Sequence, residues 1–108
     1  MDQYSLGEFE EMVLLTVAAQ HDQAYGVSIK DSLEEELKRS INISAVHMAL
    51  KRIADKGFVN SHYGGITKKR GGRRKKFYII TITGKQALDR QYEIRCNIYR
   101  RIPKILFG

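Results

Sequence analysis

The fold of this 108-residue chain turns on one stretch, SAVHMALKRIADKGFVNSHYGGITKKRGGRRKKFYIITI, residues 44–82. Its first part is helical in pattern. Val46, Ala49, Leu50 and Ile53 recur three and four apart and make one apolar face. Ser44 suits the N-cap of that helix, and Gly57 suits the C′ position that ends it. On the opposite face lie Ser44, Met48, Lys51 and Asp55, flanked by His47 and Arg52. That face holds few acids and several hydrogen-bonding groups. Two strand-like segments follow, residues 58–63 and 76–82, rich in aromatic and β-branched side chains. From the end of the first to the start of the second, the glycine pairs Gly64-Gly65 and Gly71-Gly72 accompany a run of cations: Lys68, Lys69, Arg70, Arg73, Arg74, Lys75 and Lys76. No acid interrupts the run. Its self-repulsion is costly without counter-charge, so it reads as a binding element at the tip of a long hairpin.

Toward the N-terminus, Ser5-Leu6-Gly7-Glu8 is a capping-box pattern with Ser5 at the N-cap and Glu8 at N3. Phe9, Met12, Val13, Thr16 and Val17 then recur at helical spacing, predicting a first helix to about Gln20. Glu8, Glu10 and Glu11 sit where the helix dipole favours negative charge. His21-Asp22-Gln23 is a polar break. A second helix is predicted from about Tyr25 to Arg39, with a stripe of Ile29, Leu33 and Leu37 and a close-packing glycine, Gly26, near its start. Ile41 and Ile43 alternate with polar neighbours, enough for a very short strand. Toward the C-terminus, a last helix begins near Thr81 or Thr83. Thr83 offers a capping box with Gln86, whereas Thr81 places Gly84 at N3. Ala87, Leu88, Tyr92, Ile94, Cys96, Ile98, Tyr99 and Ile102 are its apolar positions, and Pro103 should stop it.

Composition bounds what such a chain can do. With 43% hydrophobic and 29% charged residues it reads as one globular domain. The lone Cys96 excludes an internal disulfide framework and most zinc modules, and fits a reducing compartment such as the cytoplasm. No apolar run approaches the ~18 residues of a membrane span, and the opening residues are unlike a targeting signal. The formal net charge is +7, unevenly spread. Residues 1–43 carry −6 and residues 44–108 carry +13, so the partner expected for the second part is a polyanion. Catalysis finds little support. His21, His47 and His62 are scattered, Cys96 has no evident base, and Glu34-Glu35-Glu36 fit a solvated helix face. Gly71-Gly72 lacks the GK[ST] ending of a phosphate loop, and no ligand spacing suggests a metal. A non-enzyme without cofactor is therefore expected.

The element order is helix, helix, short strand, helix, strand, basic loop, strand, helix. It predicts an α+β, mostly helical fold: a winged helix-turn-helix over residues 1–82, with a dimerisation helix and tail over residues 83–108, together one compact unit. The second member of a helix-turn-helix can enter a major groove. Base reading in double-stranded DNA falls to Ser44, Ala45, His47, Met48, Lys51 and Arg52. The wing cations neutralise phosphates or reach a minor groove. The last helix, roughly 30 Å long, outreaches a small winged core. A homodimer interface of Leu88, Tyr92, Ile94, Ile98, Tyr99 and Ile102 is expected on it, placing two recognition helices about 34 Å apart. The tail Ile105-Leu106-Phe107 is expected to be disordered or tucked onto that dimer.

These pieces, in this order, resemble the PadR-like family of transcriptional regulators from about Leu6 to about Tyr92. The opening helix Leu6–Leu15, the Ala24-Tyr25-Gly26-Val27-Ser28-Ile29 start of helix two, Ala45–Ile53 followed by Lys56-Gly57-Phe58-Val59, and Arg70–Tyr78 with Thr81 and Gly84 carry the likeness. The chain departs from the family at His47, often Tyr, and at Met48, often Pro. The resemblance implies a winged-helix repressor and favours Thr81 as the last N-cap. It also raises a small hydrophobic or aromatic effector at the dimer interface, where Tyr92 and Tyr99 could line a cavity. The alternative class is an RNA-binding or protein-interaction winged helix, and preference for a palindromic duplex separates the two.

Overall fold

Apolar stripes from four helices and a small sheet close over one core in the computed structural model, which describes residues 6–66 and 74–107. The elements are α1 (Glu8–Gln20), β1 (Ala24–Tyr25) after a 3-10 turn, α2 (Gly26–Leu37), α3 (Ile43–Asp55), β2 (Val59–Ile66), β3 (Arg74–Ile80), α4 (Ile82–Tyr99) and a short α5 (Lys104–Phe107). Val13, Leu14 and Val17 of α1 meet Ile29 and Leu33 of α2 and Val46, Leu50 and Ile53 of α3. Phe58, just past α3, is wholly enclosed. Burying such side chains is the main favourable term, worth about 1.5–3 kcal/mol each. Gly84, Ala87 and Leu88 are also buried, so the first turns of α4 share this core.

The sheet has the order β1-β3-β2 and is antiparallel throughout. Val59 faces Ile80, Ser61 faces Tyr78 and Tyr63 faces Lys76, with a register shift between Tyr63 and Ile66. With α2 and α3 this is a winged helix-turn-helix, as the sequence predicts, and the fold is α+β and mostly helical.

Several boundaries differ from the sequence reading, each for a local reason. The first helix is capped by Gly7 in extended conformation, with no side-chain bond, so Glu8 opens it rather than sitting at N3. Ser5 lies outside the described residues. The second helix ends at Leu37, because Lys38 turns left-handed (φ 56°, ψ 40°) and returns its N–H to the Glu34 carbonyl. Ile41 and Ile43 form no strand. Asn42 and not Ser44 is the N-cap of α3, accepting the Ser44 N–H at 2.7 Å, and Ile43 becomes the first helical residue. The short strand is Ala24–Tyr25 instead, paired to Tyr78 and Phe77. At the end of β3, Thr81 leaves the sheet to cap α4, accepting from the Gly84 N–H at 3.0 Å and donating to the Gly57 carbonyl at 2.7 Å. Helix α4 stops at Tyr99, ahead of Pro103. Residues Lys104–Phe107 form the short helix α5, with Ile105 91% exposed on its own chain.

Candidate nucleic-acid interface

Helix α3 is amphipathic by its own sequence. With Val46, Ala49, Leu50 and Ile53 inward, the 3.6-residue turn forces Ser44, Ala45, His47, Met48, Lys51 and Arg52 outward, and all six are exposed. Both ends of the helix are fixed. Asn42 caps the start. At the far end, the Lys56 ammonium lies 2.7 Å from the Glu10 carboxylate of α1, and Gly57 takes the positive φ (80°) of a C′ residue. The turn between α2 and α3 is clamped by Glu34. Its carboxylate accepts the Ile41 N–H at 2.9 Å and the Lys30 ammonium at 3.0 Å, and these contacts, the backbone one first, hold its pKa below the ordinary value.

On the exposed face, Lys51 pairs with Asp55 at 3.2 Å, but both side chains are well exposed. Such a pair contributes little, so Lys51 can exchange Asp55 for an anion at small cost. His47 rests its ring on the start of α2. A Cβ at Gly26 would lie 2.7 Å from His47 Cε1, so glycine lets the ring lie against the start of α2 where any larger residue would push it away.

The hairpin β2–β3 stands beside α3. A cleft of about 630 Å³ runs between them, with His47, Leu50 and Lys51 on one wall, Ser61, Lys76 and Tyr78 on the other, and Tyr25-Gly26-Val27 at its end. Arg74 and Lys75 also line it. Lys75 Nζ sits 4.3 Å above the Tyr25 ring, and Tyr25 in turn meets Phe77 edge-on at 5.7 Å. Lys76 spans toward the Tyr63 and Tyr78 rings, at 5.9 and 5.8 Å. The structure thus joins His47 and Lys51 of α3 with Arg74, Lys75 and Lys76 around one cleft, which Asp55 also lines, while Ser44, Ala45, Met48 and Arg52 are exposed on α3 outside that lining. Lys68, Lys69, Arg70 and Arg73 lie outside the described residues. The sequence reading missed Tyr25, Val27, Ser61 and Tyr78 as cleft residues. Tyr25 arrives there through the pairing of β1 with β3.

The residues expected at a dimer interface divide. Leu88 is buried in its own chain, because it lies one turn beyond Gly84 where α4 packs on the core, and it is not offered to a partner. Tyr92, Ile94, Ile98, Tyr99 and Ile102 are exposed. Tyr92, Cys96 and Tyr99, with Arg95 and Arg100, frame a shallow recess of about 300 Å³. The Cys96 thiol beside Tyr92 pushes the phenol's pKa up. Arg95 reaches back to α1, its Nη2 3.0 Å from Oε1 of the buried Glu11. Among the described residues there is no cluster of metal-ligating side chains, and no helix is long and apolar enough to cross a membrane.

Comparison with known proteins agrees with this geometry. A PadR family transcription regulator from Clostridium difficile R20291 superposes with a TM-score of 0.68 at 24% identity, covering 91% of this chain and 98% of that one. A PadR-like regulator from Bacillus cereus ATCC 14579 gives 0.72 at 17% identity, covering 93% and 92%. Bacillus subtilis PadR, solved in complex with operator DNA, gives 0.67 at 24% identity; the match covers 82% of this chain but 48% of the longer one. No curated protein sequence matches the chain. The sequence profile of the PadR-like transcriptional regulator family matches residues 14–90, which span α3, the wing and the anchored part of α4. The chain therefore belongs to the PadR-like family of transcriptional regulators.

Proposed function

We propose that this regulator is a homodimeric repressor that reads a palindromic operator in double-stranded DNA. The observation that carries the reading is the cleft in which His47 and Lys51 of α3 meet the cations Arg74, Lys75 and Lys76 of β3. Ser44, Ala45, His47, Met48, Lys51 and Arg52 read base edges in the major groove, while Arg74, Lys75 and Lys76, with Lys68, Lys69, Arg70 and Arg73, take phosphates. The Bacillus subtilis relative held on operator DNA supports the same use of the fold. Dimerisation falls to the exposed positions Tyr92, Ile94, Ile98 and Tyr99 of α4 and to Ile102 just past it. A flat hydrophobic or aromatic effector fits the recess between Tyr92 and Tyr99, where it would meet the same interface. The regulator works in the cytoplasm, and repression follows from occluding a promoter.

The test is a binding selection from random duplex DNA at near-physiological salt, with the mass of the complex measured alongside. The expected result is a palindromic motif, half-sites about one helical turn apart, bound by two chains. If the dimer neutralises roughly six to ten phosphates, the log–log salt slope is about −5 to −9. Salt-sensitive binding without a motif, or equal binding to structured RNA, would replace this reading with a general nucleic-acid or interaction module.

A further inference from the structure

The outward face of α3 presents apolar groups to solvent as well as polar ones. Met48 is 56% exposed in the middle of that face, and Ala45, one turn before it, is exposed as well. Residues three apart share a helix face, so the two make a short apolar strip. Helical side chains lean toward the N-terminus, which carries the Met48 thioether over the turn of Ser44 and Ala45. The strip lies outside the cleft that holds His47 and Lys51. It is also separate from the buried side of the helix, which is Val46, Ala49, Leu50 and Ile53.

The groups around the strip narrow what it can meet. The sequence has no carboxylate between Glu36 and Asp55, and Lys51 and Arg52 follow Met48 by one turn. Cations and no acid therefore accompany the strip, which suits a duplex edge. Adenine is usually read by an amide side chain through a bidentate bond. The outward face of α3 has no amide, and Asn42 beside it spends its oxygen on the Ser44 N–H at 2.7 Å. Arginine and lysine read guanine, and those of α3 sit one turn further on. An A·T pair carries one more mark in the major groove, the thymine C5-methyl, which is read by apolar contact. A flexible, polarizable thioether can mould itself to so small a group.

We propose that Ala45 and Met48 form a reader of 5-methylpyrimidines that takes one thymine methyl in each operator half-site. Recognition there is of the methyl and not of a hydrogen-bonding edge, so 5-methylcytosine is accepted in place of thymine. The inference rests on the DNA-reading function proposed above and deepens it by naming the base chemistry that this part of the face recognises.

The test uses the full chain and the duplex obtained by selection, with each thymine in turn replaced by uracil. The exchange removes a methyl and leaves pairing and the O4 acceptor unchanged. One thymine in each half-site should respond. Affinity should fall roughly fourfold when one half-site is changed and about 16-fold when both are, the effect of one buried methyl group each. Where that T·A is replaced by C·G, C5-methylation of the new cytosine should return about fourfold in affinity. Met48→Leu should keep the uracil effect. Met48→Ala should lose most of it, with thermal unfolding and salt slope as in the wild type, since the side chain is exposed. Uracil without effect at every position, or a penalty equally large in Met48→Ala, overturns the reader while leaving operator recognition in place. A selection that returns no motif overturns the DNA-reading function and the reader with it.

Discussion

Replacing Gly26 with Ala is expected to change what the protein reads while leaving it folded. The new Cβ would stand 2.7 Å from His47 Cε1 and 3.3 Å from Nε2. Carbon atoms prefer about 3.5–4 Å, so the ring must retreat by roughly 1 Å. It is free to do so, because His47 lies on the exposed face of α3. Moving it off its rotamer costs about 0.5–1.5 kcal/mol, while Gly→Ala in a helix gains about 0.5–1 kcal/mol. The two nearly cancel, and the net change in stability should lie within about 1 kcal/mol of zero. Recognition has no such compensation. A side-chain contact that discriminates one base pair is worth about 1–3 kcal/mol, so selectivity at one position of each half-site should fall roughly 5- to 150-fold.

The assay pairs thermal unfolding with competition binding on operators substituted at each position. His47→Ala should relax the same position, and the Gly26→Ala/His47→Ala double variant should be no worse than His47→Ala alone, since both act through one ring. A destabilisation above about 2 kcal/mol would mean that the backbone, not the ring, gives way. Unchanged selectivity in Gly26→Ala together with altered selectivity in His47→Ala would refute the claim that Gly26 positions the ring.

The same steric logic gives the opposite outcome at Gly84, where an added Cβ runs into the Phe58 carbonyl and lies 2.9 Å from Ile80 Cγ1; Gly84→Ala should cost about 3 kcal/mol in urea unfolding, and a loss below about 1 kcal/mol would be inconsistent with the packing of α4. Arg74→Ala or Lys76→Ala should weaken every duplex alike and make the log–log salt slope shallower by about 2 for a dimer carrying the change twice; a loss confined to certain sequences would move these residues from phosphate to base contact. Because Ile41 N–H and Lys30 hold the Glu34 pKa below its ordinary value, the carboxylate stabilises the fold above the ordinary range and loses that effect as pH falls through the lowered value. Glu34→Gln should therefore show a lower urea midpoint at neutral pH and a gap to wild type that closes in acid; a gap independent of pH would contradict this. Arg95→Ala should cost about 1–3 kcal/mol by leaving the Glu11 carboxylate buried without its cation, more than Glu11→Gln, which leaves the 63% exposed Arg95 side chain to water; the reverse order in chemical denaturation would show that α1 and α4 are held by something else.

What could be read from the sequence is what short-range periodicity encodes. The inward stripe of α3, its exposed face, Gly57 at the helix end and the paired strands of the wing follow from residues a few positions apart. The choice of Thr81 over Thr83 needed the family likeness, since both offer a cap. The failures have a common physical form. Ile41 and Ile43 alternate over three residues, a pattern that a helix-turn-helix turn satisfies as well as a strand, and Asn42 could cap one residue pair earlier than Ser44. The real short strand, Ala24–Tyr25, has no periodicity of its own and exists because β3 lies beside it. That long-range pairing brings Tyr25 under Lys75 and into the cleft. Leu88 was misplaced because an apolar stripe does not say where the core ends along a helix.

Two adjacent carboxylates on α1 resolve where it ends, and they tie the reading head to the rest of the molecule. Consecutive residues on a helix point about 100° apart, so Glu10 and Glu11 must address different neighbours. Glu10 takes Lys56 at the end of α3 and Glu11 takes Arg95 on α4. Both carboxylates are largely buried while their cations reach toward solvent. Leu14 and Val17 hold the same helix against the core between them. Helix α1 is thus a rigid spacer whose rotation is set at two points, one on the recognition helix and one on the helix that leaves the core. In the two-fold dimer proposed above, built through α4, the distance between the α3 helices would be set by this spacer more than by the hairpin. On that proposal, specificity for half-site spacing should reside in the carboxylates of α1, and specificity for sequence in the exposed face of α3.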